Sequence, residues 1–79
     1  MDVNDGHIIK ELKDLAKQAP KSGYILSGNG DVIRIKAYYN VSDYYIVEVL
    51  EHLFKNKQIQ ELYVSYDKQT GHLRSYKFK

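Results

Sequence analysis

The side chains best placed to do chemistry near neutral pH are three histidines, His7, His52 and His72. A metal site needs several ligands at fixed spacing, and none of the three has a second histidine at such a spacing. Glu48 and His52 stand one helical turn apart and could share a cation, although a solvated pair is the commoner use of that spacing. Gly28-Asn29-Gly30 opens like a dinucleotide-binding loop, but Ile33 stands where the third glycine is required. Asp67-Lys68-Gln69-Thr70-Gly71 lacks the alternating oxygen ligands and closing Glu of a calcium loop. There is no cysteine and no Gly-x-Ser-x-Gly elbow, so a nucleophile with its base does not assemble. The residues therefore predict no enzyme, no metal and no cofactor.

Tyrosine is more informative. Eight are present, at 24, 38, 39, 44, 45, 63, 66 and 76, beside two Phe and no Trp. A small core cannot bury eight phenols, because each buried hydroxyl needs a partner, so some of these rings must face outward. Tyr and Arg on an exposed face favour a contact surface, since both are enriched where binding energy concentrates.

Charge is segregated along the chain. Residues 1–67 hold eight Lys/Arg against all ten acids, whereas 68–79 hold Lys68, Arg74, Lys77 and Lys79 with no acid. The net +2 is thus a local basic end on a mildly acidic body. A length of 79 residues fits one domain, 1–79, with 43% hydrophobic and 28% charged residues suiting a folded chain. No apolar run approaches a membrane span, and the first residues carry acids rather than a basic export signal. With cysteine absent as well, the expected setting is the cytoplasm.

The elements that would position these residues follow from periodicity. Ile8, Leu12, Leu15, Ala16 and Ala19 predict an amphipathic helix over 5–19, capped by Asn4 or Asp5 and stopped by Pro20. Residues 23–27 and 32–38 read as two strands around an Asn29-Gly30 turn. That register pairs Leu26 with Ile33 and Tyr24 with Ile35, burying those four, and turns Ile25, Val32, Arg34, Lys36 and Tyr38 to the open side. Ile46, Val49, Leu50, Leu53 and Phe54 predict a second helix over 42–56 with Ser42 or Asn40 as cap, although Tyr44 to Val47 also suit a strand. Residues 59–66 and 72–79 form a last hairpin around 67–71.

An offset of 38 residues matches Ile8 with Ile46, Leu12 with Leu50 and Tyr24 with Leu62, dividing the chain into helix-hairpin halves, 1–39 and 40–79. The expectation is an α+β fold in the order α-β-β-α-β-β, a four-stranded antiparallel sheet with two helices packed on one face. Arg34, Lys36, Tyr38, Tyr63, Lys77 and Lys79 then share the open face as a basic, tyrosine-bearing binding surface. The expected function is a small protein-binding module, a regulator or inhibitor. It would use that face or an exposed sheet edge on an acidic partner or on a second copy of itself. The alternative is single-stranded nucleic acid, with the cations on phosphates and Tyr63 or Tyr38 stacked on bases.

Overall fold

A computed structural model describes residues 3–18 and 23–79. Ala19 and Pro20, expected to end the first helix, lie outside the described residues. The elements are α1 (Val3–Gln18), β1 (Ile25–Leu26), α2 (Gly30–Tyr39), α3 (Asp43–Lys55), β2 (Leu62–Tyr66) and β3 (Leu73–Phe78). Among the described residues, three helices and a three-stranded antiparallel sheet of order β1-β3-β2 therefore replace the expected two helices on four strands.

The correction falls on residues 29–39, and its cause is the cap. An Asn-Gly hairpin turn of the usual primed kind needs positive φ at Asn29, but Asn29 is extended at φ −60° and ψ 136°. Its side chain accepts the Asp31 N–H at 2.8 Å, and its carbonyl accepts Ile33 N–H at 2.9 Å, which starts a helix. Asp31 adds a carboxylate to the first turn, where it favours the helix dipole. Val32 and Ile35 are fully buried while Ile33 is half exposed, so the working period is 3.6 and not 2. With no strand there, Ile25 pairs instead with Tyr76 and Leu26 with Ser75 of β3. Helix-hairpin order consequently does not repeat in the two halves.

Asn40 ends α2 in the left-handed region at φ 54°, a conformation Asn tolerates better than most residues. Ser42 then caps α3, its Oγ accepting Tyr45 N–H at 3.2 Å, so residues 40–42 form a tight turn between two helices. Lys36 fixes this turn from inside: its Nζ donates to the Ser27 carbonyl at 3.3 Å and to Asp43 Oδ1 at 3.1 Å.

The core joins Ile8 and Leu12 of α1, Val32 and Ile35 of α2, and Ile46 and Leu50 of α3 to Tyr76 of β3. Helix α3 packs on β2 and β3, and α1 on α2. The β2/β3 register runs from Leu62 opposite Phe78 to Ser65 opposite Ser75, then shifts so that Tyr66 meets Leu73 and Arg74 bulges. In the β2/β3 loop, Asp67 Oδ1 accepts the N–H groups of Gln69 at 2.8 Å and Thr70 at 3.0 Å, and Gly71 supplies the positive φ of 75° that closes the turn.

Candidate binding face of the sheet

Residues paired across an antiparallel sheet share a face. Ile25, Tyr76 and Val64 line up on the core side. Leu26, Ser75 and Ser65 line up on the other side, together with the Tyr63–Lys77 pair. That second side keeps three large side chains in solvent, Leu26 at 59%, Tyr63 at 52% and Tyr24 at 40% exposure.

Lys77 organises this face. Its Nζ lies 5.5 Å from the centre of the Tyr24 ring, within cation–π range, while Tyr63 stands opposite it on β2. Gly23, at φ +74°, leaves room beside it, since a Cβ there would stand 3.1 Å from the Lys77 stem. The result is a row of phenol, ammonium and phenol across three strands, with Leu26 beside it. Lys79 extends the basic edge, its backbone exchanging hydrogen bonds with Glu61.

Of the six residues expected on the open face, the sheet carries Tyr63 and Lys77, and Lys79 follows directly on β3. The other three are on α2 because the first hairpin is replaced by that helix. Arg34 reaches Glu11 at 3.5 Å and Asp31 at 3.9 Å. Lys36 is mostly covered in its bonds to Asp43 and Ser27. Tyr38 is 78% exposed and meets Tyr39 edge to face at 4.8 Å. Of the four residues expected on the buried side of the first hairpin, Ile35 is buried, but Tyr24, Leu26 and Ile33 face solvent, and Ile25 and Val32, expected outside, are buried instead.

Two further surfaces bear on function. The outward face of α3 carries Tyr44, Glu48, Glu51, His52 and Lys55. Glu48 and His52 line an open concavity of about 280 Å³ with Asp5, Tyr45 and Val49. Asp5 is buried and accepts the Tyr45 hydroxyl at 2.5 Å, and His52 bonds Asn56 at 3.0 Å. Among the described residues, no three His, Cys, Asp or Glu side chains come together as metal ligands, and no helix is long and apolar enough to cross a membrane. At the far end of α3, Phe54 and Leu62 line an apolar groove of about 230 Å³ with Glu51 and Lys55.

No family model, curated protein or solved structure matches the chain.

Proposed function

We propose that the protein is a small non-catalytic binding module, a regulator or inhibitor, that docks the open face of its sheet on an acidic protein surface in the cytoplasm. The observation that carries this reading is the Tyr24–Lys77–Tyr63 row with exposed Leu26 alongside. Phenol rings supply large contact area at small conformational cost, and a cation held over the Tyr24 ring is pre-ordered to meet a carboxylate. Lys79 adds to the positive end of this face, where Glu61 is the acid. The absence of cysteine fits a reducing compartment.

Affinity capture with three forms of the chain tests the proposal. An acidic protein should bind the wild type and an Arg34→Glu control, and should be lost with Leu26→Ser/Lys77→Glu. Retention of every partner by the double variant would defeat the proposed face.

Duplex DNA is the second reading, favoured by one architectural observation. Helix α2, the turn at 40–42 and α3 form a helix-turn-helix, and the β2/β3 hairpin follows as a wing bearing Lys68, His72 and Arg74. In such a unit the second helix enters the major groove, and here that helix presents Glu48 and Glu51, which repel phosphate. The protein-binding reading therefore leads. Anisotropy titrations with single- and double-stranded oligonucleotides at low salt separate the two, and salt-sensitive binding to either would reverse the order.

A further inference from the structure

Strand β2 is an outer strand, paired only with β3 among the described residues. Natural edge strands are usually blunted by charge, proline, a bulge or extreme shortness. The opposite edge, β1, has only two residues. Strand β2 has five, Leu62-Tyr63-Val64-Ser65-Tyr66, with no charge and no proline, and the pairing irregularity is confined to its last step. Its Leu, Tyr and Val favour a strand, and it carries neither charge nor proline along its free edge.

The hydrogen-bond phase shows which groups the edge offers. Glu61 and Lys79 exchange backbone bonds at 3.3 and 3.1 Å, and Asp67 N–H donates to the His72 carbonyl at 2.8 Å. Bonding alternates along an antiparallel strand, so the odd-numbered residues from 61 to 67 face β3. Leu62, Val64 and Tyr66 therefore direct their N–H and C=O groups outward.

We propose that the β2 edge pairs antiparallel with β2 of a second copy, joining two three-stranded sheets into one of six strands. A twofold contact must be self-complementary, and this edge meets that condition. Its outward backbone groups fall on residues of one parity, so a twofold copy brings outward groups against outward groups. The uncharged strand opposes no like charges when centred on Tyr63: Leu62 then meets Val64 of the second copy, and Glu61 meets Ser65. Along the same edge, the Phe54–Leu62 groove carries one acid and one base, Glu51 and Lys55, which suits a twofold copy better than a partner of single sign. Tyr63 belongs both to this edge and to the proposed sheet face, but the pairing uses the outward backbone of Leu62, Val64 and Tyr66, so a slowing of those amides with concentration reports the edge and not the face.

Sedimentation velocity combined with amide exchange tests it on the full chain. The wild type should sediment at twice the chain mass at high concentration, and the amides of Leu62, Val64 and Tyr66 should exchange more slowly as concentration rises. Tyr63→Lys/Tyr66→Lys alters two exposed side chains and sets lysines along the edge in any register. It should weaken self-association by about tenfold or more, with the circular dichroism spectrum unchanged. A wild type at monomer mass throughout, an open series of larger species, or a dimer whose three amides ignore concentration would each overturn the pairing. If the double variant fails to fold, the wild-type exchange data decide alone.

Discussion

Tyr76 heads the fully buried side chains by size, and its hydroxyl is a buried group with no hydrogen-bond partner among the described residues. Burial pushes its phenol well above the ordinary range, and the Asp43 charge pushes it further. The ring is therefore retained for its volume at the centre of the sheet, while its oxygen is a cost. Tyr76→Phe should raise unfolding free energy by about 1 kcal/mol, read from urea denaturation, because the unpaired hydroxyl is removed and the ring kept. Asp67 is the opposite case, a carboxylate whose oxygen is fully used. Backbone N–H bonds from Thr70 and Gln69 hold its pKa below the usual carboxylate value. Since the folded pKa is depressed, the loop gains from the charged form above the unfolded pKa and loses it as pH falls through the folded one. An NMR acid titration should show the Gln69 and Thr70 amide shifts moving together, with a midpoint below that of an unstructured Asp.

Helix α2 is the element on which sequence and structure part. Ile33, Ile35 and Ala37 alternate like a strand, and Val32, Ile35 and Tyr39 repeat like a helix, so periodicity alone leaves both open. What decides is Asn29, which can head a hairpin turn or cap a helix, and here it caps. Gly30→Pro separates the two states sharply. Gly30 is the first helical residue, its surroundings are open, and Asn29 is already extended as a residue before proline must be. The variant should keep or gain stability by about 0.5 kcal/mol in thermal denaturation, whereas a hairpin tip needing positive φ would unfold. Helix α3 and the last hairpin were legible because Ser42 caps an unbroken apolar stripe and Gly71 closes a loop flanked by apolar strands. Half of the candidate face, Tyr63 with Lys77, was legible for the same reason, since it depends only on that hairpin. Tyr24 and Leu26 were not, because their outward direction is fixed by β1 pairing with a strand some fifty residues away, which no local pattern records.

At the scale of the whole molecule, charge and architecture point in different directions. The helix-turn-helix with its hairpin is a geometry suited to a DNA groove, and the last twelve residues are basic without an acid. Glu48 and Glu51 lie on the outward side of α3, the surface such a unit would press against phosphates. A scaffold can serve different partners according to the side chains it displays, and on the proposed protein-binding reading these two acids are what turns α3 away from nucleic acid. Reversing them tests that directly. Glu48→Lys/Glu51→Lys changes two exposed positions and leaves the buried stripe of α3 intact. Where the wild type should show no duplex binding at low salt, the variant should bind with a dissociation constant on the order of 10⁻⁵ M, weakening as salt rises. Anisotropy with a mixed-sequence duplex reads both. A variant as inert as the wild type would show that α3 cannot reach a groove even without its acids, and the scaffold would then owe its binding surfaces to the sheet alone.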